Sequence, residues 1–343
     1  MLPLIRRCVV QTEPYVSKRS FFLSIIWNCS TKTEKCITEF ENKQTLQENK
    51  KLLKVALLGL PNVGKSTLVN QLTRRMLCPT SSKVHTTMHK AEAIYTEGDT
   101  QIIFMDTPGL ITSKEFKDYK LAETFKQDPE NSINEADLIG IIQDVTNVYT
   151  RHKFHDIILK ALENKREDVR LLLILNKVDR LKKKPALLDV TRVLTNTENY
   201  PKFDDIFMVS ALTGNGVDDL RNYLLDSAKA NNWKYEENTY INQSIETIIE
   251  ETVRAKLMDI LPDEIPYKIK IKIEHYDITD DGGITSVVLL DCPRKSYVKI
   301  LFKHKQFKIK YVAHNVEKEL RHAFRNSVCV RLNVQCSKSF PNK

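Results

Sequence analysis

Eight residues narrow the possible folds of this chain more than any other segment: Gly59-Leu60-Pro61-Asn62-Val63-Gly64-Lys65-Ser66 fits G-x-x-x-x-G-K-[ST]. An apolar run over 52–58 precedes it and reads as a buried strand; residues 65–73 follow and read as a helix. The two glycines let the backbone wrap tightly and aim its N–H groups inward at phosphate oxygens. Lys65 then reaches the β- and γ-phosphates, the Ser66 hydroxyl ligates Mg²⁺, and the helix start, including Thr67, adds its positive end. A strand–loop–helix of this kind implies an α/β sheet that binds nucleotide, but it does not separate ATP from GTP.

Asn176-Lys177-Val178-Asp179 makes that separation. It follows the apolar strand expected over 170–175, at the C-terminal edge where such sheets bind ligands. The Asp179 carboxylate can accept from guanine N1–H and the 2-amino group together, and adenine offers neither. A site built this way discriminates by roughly 10⁴-fold or more. Asn176 and Lys177 are expected to brace the loop and cover the base. Asp106-Thr107-Pro108-Gly109 also ends an expected strand, 101–105. There Asp106 would hold Mg²⁺ through a water, and the Gly109 N–H would meet the γ-phosphate. Ser210-Ala211-Leu212 closes the set after the strand expected over 206–209, with the Ala211 N–H facing guanine O6. Between the first and third motifs lies the expected switch loop, where Thr87 of the Thr86-Thr87 pair is read as the Mg²⁺ ligand. The catalytic set is therefore Lys65, Thr87 and Gly109, and the metal set is Ser66, Thr87 and Asp106.

The remaining pattern supports a doubly covered, mostly parallel sheet followed by a smaller α+β unit. A further strand is expected over 137–143, an edge strand after the loop of 82–97, and helices over 154–163 and 217–230. A polar linker over 231–239 separates the G domain, 51–230, from a second unit, 240–338. That unit should open with an amphipathic helix carrying Ile245, Ile248, Ile249, Val253, Leu257 and Leu261, stopped near Pro262. Alternating Ile and Lys over 267–276 reads as a half-buried strand. A turn at Asp280-Asp281-Gly282-Gly283 leads to a second strand, 284–290. Helices over 307–312 and 316–325 and a strand over 328–334 complete it.

The net charge of +9 is uneven. Residues 294–343 hold thirteen Lys/Arg against two Asp/Glu, whereas 51–293 hold 32 against 37. A basic end of this kind suits a polyanion such as RNA, or is a solvated face that aids solubility. Residues 1–30 carry Arg6, Arg7, Lys18 and Arg19 against the single acid Glu13, with several Ser. That is transit-peptide composition, so 1–50 is read as a mitochondrial targeting extension. A secretory signal and a plain disordered tail are the rival readings. No apolar run approaches the ~18 residues of a membrane span. The seven cysteines are odd in number and lack Cys-x-x-Cys spacing, which disfavours a disulfide framework or zinc site.

GLPNVGKST, the Thr86-Thr87 pair, DTPG, NKVD and SALTGNGVDDL together resemble the Era family. IIEETVRAKLMDILPDEIPY followed by alternating Lys and Ile is similar to the opening of its C-terminal type II KH domain. The resemblance covers about residues 52–336. It implies a P-loop GTPase domain with a KH-like domain, hydrolysis of GTP to GDP and phosphate, and a role in small-subunit ribosome assembly. With the presequence, it implies a member of the mitochondrial matrix that binds small-subunit rRNA and the ribosomal particle as a monomer. Leu110 stands where Ras-like enzymes place a water-orienting glutamine, which implies slow intrinsic turnover. Asn62 matches an asparagine that binds an activating K⁺ in related GTPases. One departure is clear: the Gly-x-x-Gly loop of the KH domain is replaced by Lys303-His304-Lys305-Gln306, and no glycine follows Gly283. Lys299, Lys303, His304, Lys305, Lys308 and Lys310 are then the expected RNA contacts, acting by charge. The alternative is a GTP-dependent scaffold or peripheral membrane-surface protein whose KH-like unit no longer binds RNA. A GTPase serving tRNA modification or the large subunit is a third reading; Asn176-Lys-Val-Asp179 excludes a P-loop kinase.

Overall fold

The computed structural model describes residues 50–80, 91–106, 131–163, 165–181, 185–198, 200–262, 265–302 and 307–336. The expectations for 1–49, for the switch threonine Thr87, for Thr107, Pro108, Gly109 and Leu110, and for Lys303, His304 and Lys305 lie outside these residues.

Among the described residues seven strands form the first sheet, six of them in the order β2-β3-β1-β4-β5-β6: β1 (Lys51–Leu58), β2 (Ala91–Glu97), β3 (Thr100–Asp106), β4 (Leu138–Asp144), β5 (Arg170–Asn176) and β6 (Asp205–Val209). β2 runs antiparallel to β3, and the others along this path are parallel. β7 (Lys229–Ala230) pairs antiparallel with the start of β1. The order reverses at β1, which has β3 on one side and β4 on the other. Apart from Lys51 and Lys54, β1 is apolar because both of its faces are covered. Leu53, Val55 and Leu57 pack into one core with Leu68, Val69 and Leu72 of helix α1 (Lys65–Thr73) and Leu220 and Leu224 of α4 (Val217–Asp226). Ala56 and Leu58 point the other way, toward Ile158 of α2 (Asp156–Glu163) and Val190 and Leu194 of α3 (Pro185–Asn196). The helix expected over 217–230 is therefore shorter: it stops at Asp226, and 229–230 return to the sheet.

The second unit follows the order α5 (Ile245–Ile260), α6 (Ile265–Lys268), β8 (Lys270–Ile278), β9 (Ile284–Cys292), α7 (Lys295–Leu301), α8 (Phe307–Phe324), β10 (Val328–Cys336). Its sheet is β10-β9-β8, with β9 parallel to β10 and antiparallel to β8. Ser244 caps α5, its hydroxyl accepting from the Thr247 N–H at 3.3 Å. Two readings are corrected here. Residues 267–268 belong to the short helix α6 rather than to a strand, because Pro262 and Pro266 favour a turn before β8 opens. The two helices expected over 307–325 are one. Ile309, Val312, Val316 and Leu320 form a single buried stripe, and Asn315 donates to the Tyr311 carbonyl at 2.8 Å without breaking it. Helix α7 was not foreseen; its seven residues hold only one clear i, i+4 pair, Tyr297 and Leu301, both buried.

Residues 231–242 are firmly attached to the first sheet. Trp233 donates from Nε1 to the Asp99 carbonyl at 3.0 Å, with the Lys50 ammonium over its ring. Glu92, buried on β2, accepts from Lys234 Nζ at 2.7 Å and from the Tyr235 hydroxyl at 2.7 Å. The Ile94 N–H donates to the Tyr240 carbonyl at 2.8 Å, and the Glu92 N–H to Asn242 Oδ1 at 2.8 Å. The chain thus covers the exposed edge of β2, which would otherwise carry unpaired backbone groups. Arg75 completes the attachment: it lies 3.4 Å over the Tyr240 ring and donates to the Ala323 carbonyl of α8 at 3.2 Å.

Candidate guanine nucleotide site

The register of the first sheet brings the starts of four motifs to one edge. Leu57 of β1 pairs with Asp106 of β3, and Asp144 of β4 pairs with Asn176 of β5, which pairs in turn with Val209 of β6. The phosphate loop, the end of β3, the Asn-Lys-x-Asp loop and the Ser-Ala-Leu loop therefore leave the sheet side by side. They do so next to β1, where the strand order reverses.

Within the phosphate loop, Asn62 and Gly64 take positive φ, 60° and 102°. A side chain at 64 would be strained by that φ, and its Cβ would lie 2.4 Å from Asn176 Nδ2. Gly64 leads α1 and offers no side chain to cap it, which sets a helix N-terminus, the kind of end that favours anions, at the phosphate loop. Lys65 is buried, and its ammonium donates to the carbonyls of Gly59 and Leu60, both at 3.1 Å. It is held within the loop where phosphate oxygens are expected. Ser66, half-buried, occupies the second position of α1.

Asn176 ties the site together. It is 1 % exposed. Its Nδ2 donates to the Val63 carbonyl at 2.8 Å, while Oδ1 accepts from the Lys177 N–H at 2.8 Å and the Ala211 N–H at 2.9 Å. One side chain thus joins all three loops. The Ala211 N–H, expected to face guanine O6, is used inside the protein instead. Ser210 is buried, and its Oγ accepts from the Thr213 N–H at 3.2 Å. Lys177 adopts the left-handed conformation (φ 68°), and Val178 and Asp179 enter a 3₁₀ turn, Val178–Arg180. The Lys177 ammonium donates to the Asn62 carbonyl at 2.7 Å and to Asp144 Oδ2 at 2.6 Å.

A pocket of about 330 Å³ lies between these loops, lined by Asn62, Gly64, Thr67, Asn176, Lys177, Asp179, Arg180, Ala211 and Leu212. Its size falls within the range of small-molecule sites. Asp179 and Leu212 are exposed at its mouth. A larger cavity, about 540 Å³, lies beyond Asp179 but is walled mainly by Leu181, Pro185, Leu187, Leu188 and Met208, with no phosphate-loop residue. The 330 Å³ pocket is the one where convergent polar groups meet a helix start.

The donor set suits Mg²⁺ held partly by the nucleotide. Among the described residues no cluster of three or more His, Cys, Asp or Glu forms. The Ser66 hydroxyl is in place at the helix start, and the β3 backbone carries position 106 beside the phosphate loop. Such a site uses a hydroxyl and phosphate oxygens rather than an all-protein cage.

Two site residues escaped the sequence reading. Asp144 ends β4, and Thr146 donates to its Oδ1 from both the N–H (2.8 Å) and the hydroxyl (2.6 Å). Burial pushes the Asp144 carboxyl up, but hydrogen bonds from Lys177 and Thr146 outweigh it and hold the carboxyl below the usual aspartate range. An acid ending an apolar strand two residues before a Thr was the available signal. In the second unit Lys299 and Lys310 are exposed and Lys308 is half-buried. Phe302 and Tyr311 are also exposed, whereas Tyr297 belongs to the core. Helices α7 and α8 flank residues 303–306.

Residues 54–177 match the family model described as 50S ribosome-binding GTPase. The mitochondrial GTPase Era of Danio rerio is 33% identical over 343 residues, covering 85% of this chain and 76% of the relative. GTPase Era of Brucella suis is 31% identical over 288 residues, covering 84% of this chain and 89% of the relative. A crystal structure of Era in complex with MgGDPNP and nucleotides 1506–1542 of 16S ribosomal RNA superposes with a TM-score of 0.71 at 24% identity, covering 84% of this chain and 95% of that one. Three loops joined by Asn176 beside a helix start, the preserved motif order and this extent of similarity converge on one assignment: the chain belongs to the Era family of GTPases.

Proposed function

We propose that this protein binds GTP with Mg²⁺ at the 330 Å³ pocket, hydrolyses it slowly, and uses the cycle to time its binding to small-subunit rRNA in the mitochondrial matrix. The observation that carries the nucleotide half is the buried Asn176 side chain, which fixes Asp179 relative to the phosphate loop through three hydrogen bonds. Asp179 reads the guanine edge, Lys65 and the N-terminus of α1 hold phosphate, and Ser66 with Asp106 and Thr87 holds the metal. When bound, Mg²⁺ neutralises charge developing between the β- and γ-phosphates. Leu110 offers no polar atom to orient the attacking water, which supports slow turnover until a ribosomal partner assists. Calorimetry with GTP and ATP in Mg²⁺ buffer tests this half. A preference of roughly 10⁴-fold is expected, and equal affinities would overturn it.

The RNA half rests on family membership, on the Era–16S rRNA complex among structural relatives, and on the charge of residues 294–343. Lys299, Lys303, His304, Lys305, Lys308 and Lys310 attract RNA backbone by charge, so binding should weaken steeply with salt. Crosslinking followed by RNA sequencing should enrich small-subunit rRNA. A second reading, a GTP-dependent scaffold at a membrane surface, is favoured by the missing Gly-x-x-Gly, and absence of rRNA from the crosslinks would select it. Among the described residues no helix is long and apolar enough to cross a membrane. K⁺ at Asn62 is part of the proposal: turnover in K⁺ should exceed turnover in Na⁺, and equal rates remove it. A reporter fused to residues 1–50 should enter mitochondria, and diffuse cytosolic signal removes the matrix assignment.

A further inference from the structure

Two acceptors around the Lys177 ammonium form a clamp that no sequence motif announces. Lys177 Nζ sits between Asn62 O of the phosphate loop (2.7 Å) and Asp144 Oδ2 at the end of β4 (2.6 Å). Both Lys177 and Asp144 are largely buried, their side chains 24% and 16% exposed. Asp144 cannot swing away, because the Thr146 N–H and hydroxyl hold its other oxygen. Its backbone is in register with Asn176, and the Val145 N–H donates to the Asn176 carbonyl at 3.2 Å. The carboxylate is thus fixed by a turn and by a strand pairing before it meets the lysine.

Lys177 needs such a fixture. Its left-handed backbone (φ 68°) disfavours any residue with a Cβ, and a free lysine side chain samples many rotamers. In the clamped position its stem forms one wall of the pocket that Asp179 and Leu212 share. We propose that Asp144 is a positioning residue for guanine nucleotide: it locks Lys177 across the pocket and ties the base loop to the phosphate loop, so that it sets how fast nucleotide leaves. The proposal rests on reading the pocket as a GTP site. Asp144 hydrogen-bonds to Lys177 and Thr146 and belongs to neither the catalytic nor the metal set, so its effect should fall on binding and not on the chemical step.

The test uses the full chain and a fluorescent GDP analogue, with dissociation followed by stopped flow. Asp144→Asn keeps shape and removes charge. It should speed release about 10- to 100-fold, the range expected when a hydrogen bond between charged groups is lost. KM for GTP should rise by a similar factor with kcat within about twofold. Lys177→Met should do the same, and in the Lys177→Met background Asp144→Asn should add less than about twofold, because both changes break one interaction. If Asp144 only stabilises its turn, the two effects will multiply, and that result overturns the proposal. Unchanged release in Asp144→Asn overturns it as well. Asp144→Glu, which displaces the charge by one methylene, is the companion variant should the Asn form fail to fold, and it should show the same dependence on Lys177. Failure of the unaltered chain to bind the analogue would instead defeat the nucleotide reading itself.

Discussion

Replacing Asn176 with alanine separates stability from recognition more sharply than any other change at the site. The side chain is buried and makes three hydrogen bonds of 2.8–2.9 Å, to Val63 O, Lys177 N–H and Ala211 N–H. Each is worth about 1 kcal/mol net, and the stranded backbone groups cost more where water cannot reach them. A loss of about 3 kcal/mol is expected for Asn176→Ala, which lowers Tm by about 6–12 °C in a domain of this size. The melt must be recorded on nucleotide-free protein, since bound ligand adds its own stabilisation. Asp179→Ala is the contrast. Its side chain is exposed, so Tm should move by no more than about 1–2 °C, while GTP affinity falls at least 100-fold for loss of the paired acceptor. Two outcomes refute the reasoning: an Asn176→Ala melt within about 2 °C of the parent, or an Asp179→Ala melt as low as that of Asn176→Ala. Either would mean that the loops are held together by something other than this amide.

Three further outcomes follow from the geometry. Gly64→Ala places a Cβ 2.4 Å from Asn176 Nδ2 at φ 102°, costs about 1–3 kcal/mol in strain alone, and should weaken GTP binding at least 30-fold; affinity within threefold by calorimetry would contradict it. Glu92→Gln removes the charge that Lys234 and Tyr235 meet and should lower stability by about 1–2 kcal/mol, a figure reduced because Lys234 is over one third exposed; a melt unchanged from the parent would show that the linker is not held there. Burial pushes the Cys292 thiol up to about 11, so it stays protonated at pH 8; iodoacetamide followed by mass spectrometry should modify exposed Cys329 well before Cys292, and early modification of Cys292 would contradict its burial.

Much of the first sheet could be read from the chain because buried parallel strands are apolar without interruption. The expected strands over 52–58, 101–105, 137–143, 170–175 and 206–209 each overlap an observed strand, with ends shifted by a residue or so. Periodicity failed where tertiary contacts decide. Residues 229–230 lack any pattern of their own and become a strand only because β1 offers a free edge beside Lys51 and Leu52. Residues 313–315 fall between the two expected helices, yet the buried stripe on their neighbours carries α8 through. The 231–239 segment reads as a polar spacer because its anchoring is made of polar groups. Trp233, Lys234 and Tyr235 reach partners that lie more than 130 residues away in the chain, and no local window can register that.

The site divides along the same line. Gly59, Gly64 and Lys65 are legible because the chemistry of holding phosphate dictates their type and spacing within one loop. Asn176 and Asp179 are legible because guanine dictates them. Asp144 answers to no ligand; it answers to Lys177, and the pairing exists only because β4 and β5 run parallel with Asp144 opposite Asn176. The same holds for Ala211, whose N–H was assigned to the base by its place in a motif. It belongs instead to Asn176 Oδ1 at 2.9 Å. Motifs name the groups that face the substrate; which backbone donors are left for it depends on how the protein satisfies its own buried polar atoms first. A guanine base entering this pocket must therefore find its O6 donor elsewhere in the Ser210–Leu212 loop or displace the Asn176 contact, and the Asn176→Ala affinity measured beside its melt distinguishes these. Displacement predicts that the variant, though less stable, loses less GTP affinity than Asp179→Ala; a fixed Asn176 contact predicts that it loses at least as much.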